Sequence, residues 1–377
     1  MKVQEYLRGK NDPLQALASL KEELGIRYKV YEEDGIVILD YDQIESPKTH
    51  PIVIECRSLI LSYPEFDVVS RKYDRFFNYG EAPDMYADFS FDDAVVMEKA
   101  DGSLIGVYYN PKTDRWEIST RGMAKAEGEH LFGGTWRQKV QEAFGFKDED
   151  DFQTRCDDIF WRGSTYIFEY CSPENRIVTK YDEPHMVLTG VRRKDGTEVD
   201  AAIISSPYID AAFRDLRVRA PKIYSAENMD ELVEYANSLP NLEEGFVVRC
   251  QLTNKRVKIK SKTYLVAHKL RGNEAVPTRK NVLSLVLEGE VSEWKLYFPE
   301  WASMTDECAA EVDEFLKEAD ALFYSNNYLT NQKEFAQSIQ LSKFKGCSLL
   351  FSARKLESIP SKVFNALDIS RKLKFFL

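Results

Sequence analysis

Hydrophobic positions follow two different periodicities along the chain, and the change from one to the other divides it. Between about residues 28 and 260, short apolar runs recur between turn residues, as is typical of β-strands. After about residue 265, apolar residues recur at spacings of three and four, as in Val312, Phe315, Leu316 and Ala319, which predicts amphipathic helices. The pattern therefore predicts an α+β fold, rich in strands over its first two-thirds and mainly helical over its last third.

The elements that this pattern predicts can be placed by residue number. The helix predicted over residues 13–24 carries leucines at helical spacing, with Asp12 as its N-cap and Pro13 at its first position. Strands are predicted over residues 28–31, 35–41, 51–61, 95–97, 104–107, 116–122, 165–170, 186–191, 245–249 and 256–261. Further helices are predicted over residues 127–144, 226–238 (with Asn228 as N-cap), 306–324, 331–341 and 361–375. Residues 147–158 are acidic and predict a connecting loop, and a short apolar run resumes at residues 177–178.

The most informative stretch lies between two of these strands. The runs 95–97 and 104–107 flank Lys99-Ala100-Asp101-Gly102-Ser103, where Asp101-Gly102 is a turn signal, so the segment predicts a hairpin. A lysine at the end of an apolar strand can lose its hydration, and its amine then becomes available as a nucleophile. A glycine lets the backbone approach a bulky phosphorylated ligand closely. The alternative is an ordinary hairpin that carries a solvated lysine.

Basic residues also occur inside or beside apolar runs. Arg57 interrupts the run 51–61, where a buried guanidinium is costly unless it meets an anion. That anion is either a carboxylate such as Glu55 or a phosphate of a bound ligand. Arg75, Phe76 and Phe77 combine a cation with aromatic faces, which suits a phosphate and a stacked base, although the two phenylalanines alone would also suit a core.

Charge and composition narrow the class of protein. The 377 residues include 44% hydrophobic residues, which is ample for a core, and the net charge is −11. That total argues against nucleic acid as a partner, but it hides a net charge of −9 over residues 288–320 and of +6 over residues 341–377. The basic end is either a solvated face or part of a nucleic-acid contact. The scattered cysteines argue against a zinc site or a disulfide framework. With neither an apolar N-terminal run nor 18 consecutive apolar residues, the sequence predicts a soluble intracellular protein.

Taken in order, these sequence motifs supply the set of side chains that nucleotidyl transfer needs. They provide one amine, at least three cations and two carboxylates, including Glu169 within a strand, Glu244 before a strand, and Lys258 and Lys260 on one face of a strand. Nucleotidyl transfer needs a nucleophile for the α-phosphorus and cations for the phosphate oxygens and the pyrophosphate leaving group. It also needs carboxylates for a hard divalent metal or for ribose hydroxyls.

This order of motifs resembles the covalent nucleotidyltransferase superfamily, and most closely the ATP-dependent RNA ligases of the phage RNA ligase 1 family. The resemblance covers about residues 41–268. It is carried by Glu55-Cys56-Arg57, Arg75-Phe76-Phe77-Asn78, Lys99-Ala100-Asp101-Gly102-Ser103, Phe168-Glu169-Tyr170, Pro173-x-Asn175-Arg176-Ile177-Val178, Glu244-Gly245-Phe246-Val247 and Lys258-Ile259-Lys260-Ser261 with Tyr264.

The resemblance implies a fold and a domain organisation. Residues 1–268 would form an adenylyltransferase domain of ATP-grasp-like ligase type, built of antiparallel sheets with flanking helices. Residues 269–377 would form a helical C-terminal domain that selects the RNA substrate. DNA ligases and GTP-using capping enzymes share the superfamily, but they usually carry a β-barrel where this chain has a helical pattern. An inactive nucleotide- or RNA-binding module is a further alternative.

The resemblance also implies three chemical steps. Lys99 would attack ATP to form lysyl-AMP, AMP would pass to the 5′-phosphate of an RNA, and a 3′-hydroxyl would then attack that activated end. Glu169 would contact the ribose, and Lys258 and Lys260 would act at the α-phosphate. Glu244 would hold Mg²⁺ or Mn²⁺.

The same resemblance assigns the rest of the nucleotide site. Arg57, Arg75 and Arg121 would contact phosphates, and Tyr41 and Phe77 would belong to the nucleotide pocket. The expected partner is single-stranded RNA, or RNA nicked in a loop, with 5′-phosphate and 3′-hydroxyl ends, in RNA or tRNA repair. We expect a monomer without a membrane partner, in the cytoplasm, or in the host cytoplasm if the protein is viral.

Three positions depart from the family's common pattern. Ser58 stands where glycine is common, Arg75 where lysine is common, and Ala100 where glutamate is common, so the site has one carboxylate fewer. In the C-terminal part, Glu293 with its neighbours Glu288 and Glu290 offers either an additional metal site or a solvated acidic face.

Overall fold

The computed structural model describes residues 1–175, 178–204, 206, 211–239, 243–262, 264–265 and 277–377, apart from the side chains of residues 293, 296 and 297. The chain divides into two compact units, Met1–His268 and Lys269–Leu377. The first unit contains sheets and helices, whereas the described part of the second is helical, so the predicted α+β class is confirmed. Within the described residues, no helix is both long enough and apolar enough to cross a membrane.

The described strands of the first unit form three sheets. Sheet I consists, in spatial order, of β1 (Ile26–Tyr31), β2 (Ile36–Tyr41), β3 (Leu59–Ser62) and β4 (Val68–Ser70). Sheet II consists of β11 (Val218–Arg219), β10 (His185–Arg193), β9 (Ser164–Cys171), β7 (Ser103–Asn110) and β8 (Arg115–Ser119). Sheet III consists of β12 (Ile223–Tyr224), β6 (Ala94–Glu98), β13 (Gly245–Cys250), β14 (Arg256–Lys260) and β5 (Phe77–Asn78). Neighbouring strands are antiparallel, except for the β10–β11 and β14–β5 pairs, which are parallel.

Strand β2 shows how the sheets create the core. All six of its residues are buried because both of its faces are covered. Val37 and Leu39 face one apolar cluster, together with Leu17 of the helix α2, Pro13–Leu24. Ile36 and Ile38 face another, which includes Tyr108 of β7. Sheets I and II therefore pack together through the side of β2 that faces away from α2.

Helices complete the first unit. They are α1 (Lys2–Arg8), α2, α3 (Pro51–Glu55), α4 (Trp136–Phe144), α5 (Glu149–Ile159), α6 (Ala201–Ile204) and α7 (Met229–Ser238), with a 3₁₀ turn at Pro83–Tyr86. The side chain of Asp12 caps α2 by accepting from the backbone N–H of Gln15 at 2.8 Å, as predicted. Asn228 likewise caps α7, which begins three residues later than predicted.

The second unit is a set of helices around its own apolar cluster. They are α8 (Arg279–Glu288), α9 (Val291–Tyr297), α10 (Ala302–Asn326), α11 (Gln332–Leu341), α12 (Cys347–Lys355), α13 (Pro360–Asn365) and α14 (Ile369–Leu373), with a 3₁₀ turn at Pro299–Trp301. Leu283, Phe323, Phe335 and Phe364 are buried in its core. No strand occurs in the described residues 277–377, where DNA ligases and capping enzymes would be expected to carry a barrel.

Several local predictions are wrong, each for a physical reason. The predicted strand over residues 51–61 is the short helix α3 followed by β3, and Pro51 begins the helix. The helix predicted from residue 127 begins only at Trp136, after a turn in which Gly133 and Gly134 have positive φ. The acidic segment predicted as a loop is α5, because Asp148 caps it and acidic residues in a first turn favour the helix dipole.

Two further predictions also differ from the structure. The helix predicted over residues 361–375 is divided into α13 and α14. The predicted hairpin around Lys99 does not form, because β6 pairs with β13 in sheet III whereas β7 pairs with β8 and β9 in sheet II. The predicted apolar run at residues 177–178 falls partly on residue 177, which lies outside the described residues.

Candidate active site

Lys99 lies where the chain leaves sheet III and enters sheet II. Its backbone N–H donates to the carbonyl of Gly245 at 2.8 Å, which fixes the end of β6 against β13. Its side chain is 20% exposed, and its Nζ donates to Glu244 Oε2 at 2.7 Å. Glu244 precedes β13, so the pairing of β6 with β13 brings together two residues that are 145 positions apart. The amine is thus held at the junction of two sheets.

Asp101 and Gly102 explain the rest of this motif. Asp101 is buried, and its carboxylate accepts from the N–H groups of Val178 and Thr179 and from the hydroxyl of Tyr264, at 2.7–2.8 Å. At Gly102 a Cβ atom would lie 2.3 Å from the carbonyl oxygen of Tyr170, so no larger residue fits. Asp101 therefore anchors the loop that carries Lys99, a structural role that the sequence analysis did not identify.

A cavity of about 270 Å³ surrounds Lys99. It brings together five of the predicted site residues: Arg57, Lys99, Glu169, Lys258 and Lys260. Glu244 joins them through its ion pairs, since its Oε1 lies 3.6 Å from the Nζ of Lys260 and its Oε2 bonds to Lys99. As the alternation in β14 predicted, Lys258 and Lys260 lie on the cavity side, while Val257 and Ile259 are buried on the other.

Glu169 has an unusual acidity in this cavity. It lies in β9, opposite Leu104 of β7 and Val187 of β10. Burial raises its pKa to about 7, the nearby charge of Lys99 opposes that rise, and the charge of Glu244 adds to it. Near neutral pH this side chain can therefore act as an acceptor or, when it is protonated, as a donor towards a ligand hydroxyl.

Arg57 lies in the loop between α3 and β3, and its side chain lines the cavity. Its Nη1 is buried and has no hydrogen-bond partner among the described residues, while its guanidinium lies 4.9 Å from the ring centroid of Phe76. Glu55 is not its partner, because that carboxylate accepts from the backbone N–H groups of Lys2 and Val3. Ser58, where the family commonly has glycine, adopts a φ of 55°, in the region that glycine prefers.

The other predicted residues form a second group around Tyr41. The guanidiniums of Arg75 and Arg121 lie 4.1 and 4.7 Å from the ring centroid of Tyr41, and that of Arg75 lies 5.3 Å from the ring of Phe77. Arg121 Nε donates to Asp40 Oδ2 at 3.0 Å. The Nη1 of Arg75 and the Nη2 of Arg121 are buried without a hydrogen-bond partner in the described part of the chain. Buried donors of this kind suit an anionic ligand.

Two further basic residues of this region were not predicted from the sequence. Arg256 lines the cavity at the start of β14, and the same alternation that selected Lys258 and Lys260 also includes it. Lys72 is only 1% exposed, and its Nζ donates to Ser119 Oγ at 2.7 Å and to the carbonyl of Thr120 at 3.1 Å. Burial lowers the pKa of Lys72 to about 7. No local signal distinguished it from its basic neighbours Arg71 and Arg75.

Of the two residues predicted to bind metal, the structure describes the side chain of Glu244 but not that of Glu293. Glu244 is buried within the cluster of Lys99 and Lys260. The side chain of Glu293 lies outside the described part of the chain, and its backbone belongs to α9. Among the described residues, no group of three or more His, Cys, Asp or Glu side chains has a metal-binding arrangement. A divalent ion at Glu244 would therefore take most of its ligands from water and substrate phosphates, as Mg²⁺ commonly does.

Known proteins are similar to this chain in sequence. A family model described as RNA ligase, of the T4 RNA ligase 1 type, matches residues 55–273. A protein of Autographa californica nuclear polyhedrosis virus, named as a bifunctional polynucleotide kinase/RNA ligase, is 32% identical over 90% of this chain and 48% of its own length. An RNA ligase of Rhodothermus phage RM378 is 25% identical over 64% of this chain and 66% of its own length. This chain thus spans about half of the first relative and about two-thirds of the second.

Among solved structures, an archaeal ATP-dependent RNA ligase aligns with 85% of this chain and 83% of its own, at 12% identity and a TM-score of 0.46. The family match covers more than half of the chain and includes the segments that carry Arg57, Lys99, Glu169, Glu244 and Lys260. Together with the viral relative, it shows that the chain belongs to the RNA ligase family of the phage RNA ligase 1 type.

Proposed function

We propose that this chain is an ATP-dependent RNA ligase that joins 5′-phosphate and 3′-hydroxyl ends and acts in RNA repair, including that of tRNA. Membership of the RNA ligase family supports the reaction class. The cluster of Lys99, Glu244, Lys260, Glu169 and Arg57 around one cavity supports the chemistry. We expect a cytoplasmic monomer, in the host cytoplasm if the protein is viral.

In the first step, the Nζ of Lys99 attacks the α-phosphorus of ATP. The ammonium of Lys99 must first lose one proton to solvent to become a nucleophile; a phosphorus–nitrogen bond then forms, the bond to the pyrophosphate oxygen breaks, and Nζ loses a second proton. Glu244 Oε2, at 2.7 Å, is positioned to receive that proton. Lys258 and Lys260 stabilise the negative charge that develops on the non-bridging oxygens, and a lost donor of this kind commonly costs about 3–4 kcal/mol of activation free energy.

The phosphate tail of ATP is assigned to the three arginines with unpartnered donors. Arg57 Nη1, Arg75 Nη1 and Arg121 Nη2 are buried without hydrogen-bond partners in the described residues. Anionic phosphate oxygens would satisfy all three donors, which supports their assignment to phosphate binding. Tyr41 orients Arg75 and Arg121 by contacting both guanidiniums, and Phe77 contacts Arg75 from a buried position.

Mg²⁺ or Mn²⁺ fits the site through Glu244, whose carboxylate is buried within the cluster of Lys99 and Lys260. When bound, the ion neutralises charge on the phosphate oxygens. Glu169 receives a ribose hydroxyl, since its raised pKa leaves both protonation states accessible near neutrality.

The later steps use RNA. The 5′-phosphate attacks the AMP on Lys99, and a 3′-hydroxyl then attacks the activated 5′ end and releases AMP. The unit Lys269–Leu377, with its excess of basic residues over 341–377, is assigned to RNA selection.

One observation carries the proposal: the ion-paired amine of Lys99 inside a cavity lined by three other predicted phosphate-directed cations. The test is intact-mass analysis after incubation with ATP and Mg²⁺, followed by peptide mapping. We expect an AMP adduct on Lys99, none in Lys99→Ala, and a normal adduct in the control Lys147→Ala, which removes an exposed lysine. An adduct with GTP instead of ATP would favour a capping enzyme. Absence of an adduct with either nucleotide would favour a binding module.

A further inference from the structure

A second cavity adjoins the one that contains Lys99. This flanking recess, of about 400 Å³, has walls that include Arg71, Arg75, Phe76, Arg192, Thr253 and Arg256. It shares Phe76 and Arg256 with the lysine cavity, so the two are immediate neighbours. Its size lies within the range of pockets that hold small ligands or single nucleotides.

The flanking recess has more cations than carboxylates. Five cationic side chains and three carboxylates line it, and one of the cations, Lys255, is paired with Asp88 outside the lining, which leaves an excess of one positive charge. Two of these carboxylates are already engaged: Asp74 accepts from Arg71 and Arg192 at 2.9–3.2 Å, and Glu198 is paired with Arg256. Burial alone would raise the pKa of Asp74, but the hydrogen bond and charge of Arg192 hold it below its ordinary value. The excess charge therefore persists at neutral pH and attracts an anion.

Two buried donors in the walls lack partners. The Nη1 of Arg75 and the Nε of Arg256 have no hydrogen-bond partner among the described residues, and Arg256 is only 4% exposed. A buried donor without a partner costs free energy unless a ligand satisfies it. The rings of Phe76, Phe77 and Tyr86 also line the recess and offer contacts for a base or a ribose.

We propose that the flanking recess binds the 5′-terminal nucleotide of the RNA strand, with its phosphate towards Arg75 and Arg256. The Nη1 of Arg75, assigned above to the phosphate tail of ATP, becomes available to the RNA phosphate once pyrophosphate has left. The proposal rests on the function proposed above. A terminal phosphate is an anion that needs cations, whereas a 3′-hydroxyl is neutral, so the excess of cations favours the 5′ end. In the transfer step, a 5′-phosphate oxygen attacks the α-phosphorus of the AMP on Lys99. A phosphorus–oxygen bond forms, the phosphorus–nitrogen bond breaks, and Lys99 recovers a proton.

Pyrophosphate shares this terminal-phosphate chemistry, and the two ligands can be separated by experiment. Full-length enzyme carrying AMP on Lys99 is mixed either with 5′-phosphorylated single-stranded RNA blocked at its 3′ end, or with inorganic pyrophosphate. The half-saturating concentration is measured for AMP transfer to RNA and for re-formation of ATP. Arg71→Met removes one cation of the recess and leaves Arg192 on Asp74, while Thr253→Tyr reduces the volume of the recess. Arg193→Met, at an exposed arginine of β10, is the matched control.

We expect both recess variants to form the Lys99 adduct normally and to raise the half-saturating RNA concentration about tenfold, because Arg71→Met lowers the positive charge of the recess and Thr253→Tyr reduces its volume. The pyrophosphate value should change less than about twofold, as for a substitution away from the site. An unchanged RNA value in both variants, or an equal rise for pyrophosphate, would overturn the recess as an RNA site while leaving the proposed ligase intact. Failure of the wild-type chain to form any adduct would overturn both proposals.

Discussion

Substitution of the buried Lys72 gives the sharpest test of the electrostatic description. Its ammonium is 1% exposed and donates to two uncharged oxygens, Ser119 Oγ and the carbonyl of Thr120. Asp40 attracts the charge and Arg57 repels it, but burial is the largest influence, and it lowers the pKa from 10.5 to about 7. Lys72→Met keeps most of the apolar stem and removes the charge.

The free-energy cost of burying the charge of Lys72 follows from the difference between its pKa values in the folded and unfolded states. A fall from 10.5 to about 7 corresponds to about 5 kcal/mol, at 1.36 kcal/mol for each pKa unit. Below about pH 7, Lys72 is protonated in both states, and this cost is fully present. Between about pH 7 and 10.5 only the folded state releases the proton, so the cost decreases as the pH rises. Loss of the two hydrogen bonds offsets the gain by about 1–3 kcal/mol, and Ser119 keeps its bond to the carbonyl of Gly106.

We therefore expect Lys72→Met to be about 2–4 kcal/mol more stable than the wild type at pH 6, with an advantage that declines towards pH 10. Urea unfolding, followed by fluorescence at several pH values, measures this difference. Lys147→Met, at an exposed lysine, is the control and should leave the curve unchanged. A Lys72→Met variant that is less stable at pH 6, or whose stability has the pH dependence of the wild type, would refute the reasoning.

Four other predictions concern the site. Lys258→Ala or Lys260→Ala should slow formation of the Lys99 adduct by about 100-fold with an unchanged melting temperature, and wild-type rates would exclude their role at the α-phosphate. Glu169 has a pKa of about 7 in the folded state, above its ordinary 4.5, so the folded state loses stability as the pH rises through 7 and the buried carboxyl ionises. Glu169→Gln should therefore raise the melting temperature at pH 8 more than at pH 5, and equal shifts at the two pH values would contradict that pKa. Chelation of divalent ions should abolish the adduct, and added Mg²⁺ should restore it, whereas an adduct that persists in chelator would argue against the metal. Residues 1–268 alone should still adenylylate Lys99 but join RNA poorly, and equal loss of both activities would argue against a role for the second unit in RNA selection.

Local patterns determined much of the architecture in advance. Leucine spacing, Asp12 and Pro13 together predicted α2, because a helix and its cap depend on residues that are close in sequence. The alternation of β14 correctly placed Lys258 and Lys260 on the cavity side, since side chains of a strand alternate between its faces.

The predictions that were wrong concern features that depend on contacts between segments far apart in the sequence. The Lys99 segment has the composition of a hairpin turn, but β6 pairs with β13, about 150 residues further on, and no local signal encodes that choice. The same holds for Arg57: its apolar context predicted a strand, whereas the structure has a helix, a loop and then a strand. The partner of Glu55, the N-terminus of α1, was equally invisible from the sequence.

The segment from Lys99 to Gly102 also determines where the chain can change its length. One end is fixed to Gly245 by a hydrogen bond, and the other passes so close to Tyr170 that it has no room for a side chain. An inserted or deleted residue here would displace Lys99 from Glu244 and would shift a strand of either sheet by one residue, which reverses its faces. The exposed turn at residues 131–134, where Leu131 is 95% exposed, has no such restriction. Peptide tags or fluorophores should therefore be tolerated in that turn, whereas even a single added residue between β6 and β7 should not.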